Sequence, residues 1–350
     1  MKKTAIILFN LGGPDQLSSV KPFLFNLFND KAIINVPNPI RYFLAKFISF
    51  KRNKTAQEIY KNIGGKSPIV EITNELAENL EKELSHSGDF KVFVCMRYWH
   101  PMSKEVVKNV KDYNADEIIM LPLYPQFSTT TTESSFKDFE KELEKQKVTA
   151  KIKKICCYAT NSKFIKSHAS LLKKAINKAK TKNHHKFRLL FSAHGLPQKI
   201  IDNGDPYVFQ IESSAKSIIA QLISDENFID KKIDYQVCYQ SKVGPLQWTK
   251  PSLDDEINRA NKDKIGVIIV PIAFTSDHSE TLVELDIEYK EMAKKQKLPF
   301  YYRVKALNSD GYFIESLVEI CKNVSQKEQI CSGYNGKRIC PTKYIRCIAQ

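Results

Sequence analysis

KIGVIIVPIAFTSDHSETLVELDIEY, residues 264–289, joins two periodicities in one run. Ile265 to Ile272 is apolar and β-branched, interrupted only by Gly266 and Pro271. That is the pattern of a parallel strand buried on both faces. The strand stops at Phe274-Thr275-Ser276-Asp277, where Ser276 or Asp277 is expected to cap a helix start. Helical spacing follows, with Leu282, Leu285 and Tyr289 on one face and Glu280, Glu284 and Glu288 four apart on another. Like charges at i,i+4 cost roughly 0.2–0.5 kcal/mol per pair on an exposed helix. The ladder is therefore either a solvated face, the simpler reading for Glu288, or a row that passes a cation or protons. Asp277 and His278 stand at its upper end, where open α/β sheets bind their ligands.

The chain has 350 residues, enough for two α/β domains, and is 42% hydrophobic, an ordinary globular fraction. Apolar runs of about ten residues are too short to span a bilayer. The opening MKKTAIILFNLGG lacks a small-residue cleavage pattern, so it is expected to be a buried strand rather than a leader. Net charge is +15, yet only eight of the 54 cations are arginine and the lysines are scattered. Nucleic acid is not expected as a partner. Attraction to an anionic membrane surface stays open.

Residues 4–11 form a first strand, followed by Gly12-Gly13-Pro14-Asp15 and a helix at 20–28. The two glycines permit close backbone approach, but G-x-G-x-x-G is absent. Gly65-Lys66-Ser67 is not the end of a P-loop, because Tyr60 holds the place of the required glycine and Pro68 follows. Residues 36–54 carry Ile40, Phe43, Leu44, Phe47 and Ile48 at helical spacing, flanked by Arg41, Lys46, Lys51, Arg52 and Lys54. This stripe is either a core face or an amphipathic lip that dips into lipid headgroups. Further strands are expected at 90–98, 117–124, 151–158, 186–193 and 234–240, and further helices at 72–84, from about 132 to 146, and at 161–180. LPLYPQFSTTTTE and VPIAFTSDHSETL share one grammar: strand, proline, hydroxyl-rich turn, helix. The expected fold is α/β: two similar doubly wound halves with parallel sheets facing a central cleft. Domains are expected at 1–150 and 151–316, with 317–350 packing back on the first.

Four strand ends carry polar groups: Arg97-Tyr98, His194, Gln240-Ser241-Lys242 and Asp277-His278-Glu280. Imidazole with carboxylate suits a divalent metal such as Fe2+ and takes protons near neutral pH. Leu11, Tyr98, Trp248 and Phe274 would provide flat apolar walls for a large planar ligand.

At these residues the sequence resembles the ferrochelatases. The resemblance is carried by LFNLGGPD at 8–15, IGGKSPI at 63–69, RYWHP at 97–101, LPLYPQFS at 121–128 and FSAHGLP at 191–197. GDPY at 204–207, QSKVGPLQW at 240–248 and AFTSDHSETLVELDIEY at 273–289 complete it. It implies insertion of Fe2+ into protoporphyrin IX, with His194 and Glu280 as catalytic residues and metal ligands. It also implies an acidic path through Glu284, and porphyrin contacts at Arg97, Tyr98 and Trp248. The segment at 36–54 would then be a membrane-facing lip, with Arg52 at a propionate. Asp277, His278 and Glu288 are candidates for the same path, and Leu11, Ser241 and Phe274 for the porphyrin pocket.

Some members of that family hold a [2Fe–2S] cluster on three C-terminal cysteines and an internal one. Cys331, Cys340 and Cys347 would supply three, but the internal position of the animal pattern is Thr129 here. Cys156, Cys157 or Cys321 would have to replace it, and ordinary thiols are the alternative. Two rivals remain: a chelatase for another metal and tetrapyrrole, and a non-catalytic porphyrin or haem carrier. The expected location is cytoplasmic, peripheral to the inner membrane, and a homodimer is open.

Overall fold

A computed structural model describes residues 2–226, 228, 232–325, 331–332 and 338–349. The chain divides into two compact units. The first is Met1–Cys157 with Leu317–Arg338 and Ile348–Gln350; the second is Tyr158–Ser316 with Ile339–Cys347.

In the first unit β1 (Lys3–Asn10) leads to α1 (Val20–Phe28), α2 (Asn38–Lys61) and α3 (Ile69–Leu84). Then β2 (Asp89–Met96), α4 (Ser103–Tyr113), β3 (Glu117–Pro122), α5 (Thr132–Lys145) and β4 (Lys151–Cys157) alternate. The sheet is parallel, in the order β2-β1-β3-β4, and the short β9 (Cys331–Ser332) pairs with β4. Because β3 is covered on both faces, all six of its residues are buried. Ala5, Ile7 and Phe9 of β1 pack with Val106, Val107 and Val110 of α4 and Phe136, Phe139 and Leu143 of α5. Phe9 meets the rings of Phe136 and Phe139 edge-on, which adds to the area burial.

The second unit runs α6 (Ser162–Thr181), β5 (Phe187–His194), α7 (Gln198–Asp202), α8 (Tyr207–Ser224), β6 (Tyr235–Gln240), α9 (Leu253–Lys262) and β7 (Gly266–Pro271). A π-helix (Glu280–Glu288), α10 (Tyr289–Lys295), β8 (Tyr301–Arg303) and the start of α11 (Gly311–Ser325) complete it. Its parallel sheet has the order β6-β5-β7-β8. Helix starts are fastened locally: Asn161 accepts from the N–H groups of Lys163 and Phe164, and Ser252 from that of Asp255.

The strand order of the two units is the same, so β3 and β7 are equivalent third strands, as their shared grammar suggested. Two expectations change. Strand β4 pairs with β3 in the first sheet, so the first unit extends to Cys157 instead of stopping at 150. Helical backbone begins only at Ser279, later than a cap at Ser276 or Asp277 would start it, and Asp277 is bonded to Arg303 and Asn308.

Candidate active site

In the second unit three strand ends meet at the β5/β7 switch point, where strand order reverses. His194 is the last residue of β5, Gln240 the last of β6, and Glu280 opens the π-helix after β7. His194 Nδ1 lies 2.9 Å from Glu280 Oε2. The histidine side chain is 38% exposed and the glutamate 24%, so the pair is open to a ligand. Ser241 donates its N–H to Glu284 Oε1 at 3.0 Å and its hydroxyl to Glu284 Oε2 at 2.6 Å. The same hydroxyl is 3.4 Å from Glu280 Oε2. Gln240 Nε2 donates to Glu284 Oε2 at 2.9 Å, and its own carbonyl oxygen accepts from Ser192 at 2.7 Å. Glu280, the Ser241 hydroxyl and Glu284 thus form one hydrogen-bonded row leading from His194.

The π-helix is why the acidic spacing works. An i→i+5 ladder turns roughly 87° per residue, against about 100° in an α-helix. Four residues apart, Glu280 and Glu284 are then offset by only about 12° instead of about 40°. Glu288 is exposed at the far end, which fits a solvated residue.

Charges in the row are pushed apart. Burial lowers the His194 imidazole, but the Glu280 carboxylate beside it outweighs that and raises it above its usual value. Burial raises Glu280, yet His194, then His278 and the Ser241 hydroxyl, bring it down to about 2. Burial and the charge of Glu280 raise Glu284 to about 7. Neighbouring carboxylates with separated proton affinities are the arrangement expected of acid–base sites.

His194 is held from behind by Tyr207, whose hydroxyl donates to its carbonyl at 3.2 Å. Trp248 stands edge-on to the imidazole, with ring centroids 6.4 Å apart. A Cβ on Gly195 would lie 3.1 Å from the Gln240 backbone oxygen and 3.2 Å from the Trp248 ring, closer than side chains ordinarily pack. Phe274 packs on the His278 ring at 5.0 Å. His278 itself bonds the Ser276 carbonyl through Nδ1 and approaches Glu280 only to 4.0 Å. Asp277 lies off the row: its oxygens are taken by Arg303 at 2.6 Å and Asn308 at 3.0 Å. Its assignment to the proton path is therefore corrected; charge pairing with buried Arg303 claims it.

In the first unit Leu11 packs against a cluster of Val20, Phe23, Leu24, Tyr60 and Tyr98. Tyr98 is 2% exposed and belongs to that core rather than to an open wall. Its hydroxyl donates to Asp30 at 2.8 Å, beside the bond from Arg97 at 2.9 Å and a third from Ser134. Asp30 was missed in the sequence because it stands in the turn after α1 without any motif. Arg303 was passed over because a single residue at a strand end carries no spacing signal.

Helix α2 turns its aromatic residues outward: Phe43, Phe47 and Phe50 are 69%, 61% and 70% exposed. Ala45 and Ser49 are its buried face there, so the stripe is not core. Arg41 is bound to the carbonyls of Asn29 and Val36. Arg52 is exposed, with its guanidinium 5.8 Å from the Phe28 ring centroid. No described helix is long and apolar enough to cross a membrane.

Cys340 and Cys347 are buried, and Gln210 donates to Cys340 Sγ at 3.1 Å. The side chain of Cys331 lies outside the described residues. Among the described residues no three His, Cys, Asp or Glu side chains group as metal donors.

The ferrochelatase family model matches residues 3–325. A ferrochelatase of Rickettsia bellii (strain OSU 85-389) is 52% identical, covering 99% of this chain and 95% of that protein. One of Rickettsia felis is 49% identical over 100% and 98%, and one of a Wolbachia from Drosophila simulans 48% over 92% and 99%. Among solved structures, SirB from Bacillus subtilis with Fe3+ has a TM-score of 0.53 at 12% identity, covering 93% of this chain and 96% of that one. That likeness concerns the fold. The family model and the relatives span nearly all of the sequence: the chain belongs to the ferrochelatase family and is an enzyme, a lyase of the metal-chelatase type.

Proposed function

We propose that His194 and Glu280 are where this ferrochelatase inserts Fe2+ into protoporphyrin IX to form protohaem, the terminal step of haem biosynthesis. The observation that carries the assignment is the half-open His194–Glu280 pair continued by Ser241 and Glu284. Metallation must remove two pyrrole protons. With Nδ1 turned to Glu280, the other imidazole nitrogen, Nε2, is the one to meet substrate. A neutral imidazole accepts a proton there, and the row behind it carries the proton away. Glu284, which titrates near neutrality, is suited to take and release it. Glu280 carries the negative charge that attracts the substrate cation. Trp248 offers flat apolar surface beside His194, and Phe274 beside His278. Rigid walls of this kind favour a distorted macrocycle, which is catalysis by differential binding. Leu11, Arg97 and Tyr98 are assigned to shaping the porphyrin site, and Arg52 to a propionate. A porphyrin carrier would have no use for such a row, and its presence favours the enzyme.

The outward aromatic face of α2 supports the reading of a protein peripheral to an anionic membrane, and a cytoplasmic location belongs to the same proposal. A [2Fe–2S] cluster on Cys331, Cys340 and Cys347 belongs to the same proposal. The row of His194, Glu280, Ser241 and Glu284 contains no cysteine, and no step of the reaction is assigned to the cluster. Colourless, fully active anaerobic protein without acid-labile sulfide would remove that cluster from the account.

The site is tested by His194→Ala, assayed anaerobically with protoporphyrin and Fe2+ through the Soret and visible bands. Insertion should fall by at least about a hundredfold, the scale of losing a general base, while porphyrin still binds. Near-normal turnover in folded variant overturns the assignment.

A further inference from the structure

A π-helix needs an outside reason to keep its register, because its backbone bonds are poorer than those of an α-helix. Strand β8 supplies two contacts to adjacent residues of that helix. The Tyr301 hydroxyl donates to the carbonyl of Leu285. Arg303, two residues on, holds Asp286 through Nε at 3.0 Å and again through Nη2.

Arg303 also reaches Asp277, through Nη1 at 2.6 Å. Asn308 completes this second grip: its amide donates to Asp277 Oδ2 at 3.0 Å, and its carbonyl oxygen accepts the Asp277 N–H at 2.9 Å. One buried guanidinium therefore ties the turn before the π-helix to a residue inside it. Asp277 precedes Glu280 by three positions and Asp286 follows Glu284 by two, so the clamp brackets both carboxylates. Relaxation to an α-helix would swing Glu284 by roughly 50° about the axis relative to Glu280. Its bonds to Ser241 and Gln240 would not survive that.

We propose that Arg303 is a positioning residue for metal insertion, holding the π-helical register that sets Glu280 and Glu284 opposite His194. The proposal rests on the reading of His194 and Glu280 as the insertion site. Arg303 touches neither substrate nor reacting atoms; it acts through Asp277 and Asp286.

The test uses the full chain with Arg303→Met, Arg303→Lys, Asp286→Asn and the double variant Arg303→Met/Asp286→Asn. Steady-state insertion of Fe2+ gives kcat and the KM for metal; Soret titration gives porphyrin affinity. Arg303→Met should lose about tenfold or more in kcat, since misplacement of about 1 Å can cost a hundredfold. Its porphyrin affinity should stay within about threefold. Asp286→Asn should fall in the same direction by less, and the double variant should be no worse than Arg303→Met alone. Arg303→Lys should recover part of the rate. Leu172→Val, a core change on α6 away from the site, serves as the stability control and should keep full kcat.

Arg303→Met with near-parental kcat overturns the clamp, and so do additive losses or a parallel loss of porphyrin binding. If Arg303→Met does not fold, Asp286→Asn decides, since Asp286 is partly exposed. His194→Ala is run alongside. An active His194→Ala enzyme defeats the site itself, whereas an inactive one beside normal Arg303→Met defeats only the clamp.

Discussion

Ser241 has φ 64°, in the left-handed region that side chains other than glycine, Asn or Asp seldom adopt. Strain of this kind is retained where surrounding bonds over-determine it. Here the twist aims both the N–H and the hydroxyl of one residue at Glu284. Glu284 in turn is raised to about 7 by burial and by Glu280, so the folded chain holds its proton more tightly than the unfolded chain does. The sign follows from linkage. The contribution of this group is complete below its unfolded value of about 4.5 and is lost as pH rises through about 7. Glu284→Gln removes that titration. Its Tm should gain on the parent by about 2–4 °C for each kcal/mol relieved between pH 4.5 and pH 8. Thermal unfolding at both pH values checks this; a pH-independent difference would refute the assigned shift.

At the scale of elements, α2 and the π-helix depart from ordinary expectation for different reasons. In α2 the small Ala45 and Ser49 are buried while Phe43, Phe47 and Phe50 face outward. Each exposed ring stands to gain about 1.5–3 kcal/mol on entering an apolar phase. Replacing all three by serine should cut flotation with anionic vesicles by at least about tenfold and raise the KM for porphyrin. Thermal stability should change little, because these side chains do not pack in the core. Unchanged flotation would leave the face without a lipid role. Added salt should weaken the parent's binding, since part of the attraction comes from the net charge of +15. The π-helix is a different case. A four-residue acidic spacing is visible in any sequence, but i+4 and i+5 hydrogen bonding are not, because the same residues tolerate both. Tyr301 and Arg303 select between them from another strand.

Across the molecule, two units repeat one strand order, β2-β1-β3-β4 and β6-β5-β7-β8. Runs such as Val267–Val270 announced their strands because burial on both faces leaves no room for alternation. Motifs at strand ends likewise announced His194, Glu280 and Ser241, since a parallel sheet collects its carboxyl ends along one edge. The sequence alone therefore determined the α/β class and the repeated grammar, and it named the residues that the structure joins in one hydrogen-bonded row. What only the tertiary structure decided was pairing at a distance. It moved β4 into the first sheet, locked Asp277 to Arg303, gave Tyr98 and Arg97 to Asp30, and turned the phenylalanines of α2 outward. Periodicity reports which face of an element is apolar, a local property of the chain. Which partner meets that face, and which charge meets which, depends on residues up to a hundred positions away, and no local pattern encodes that.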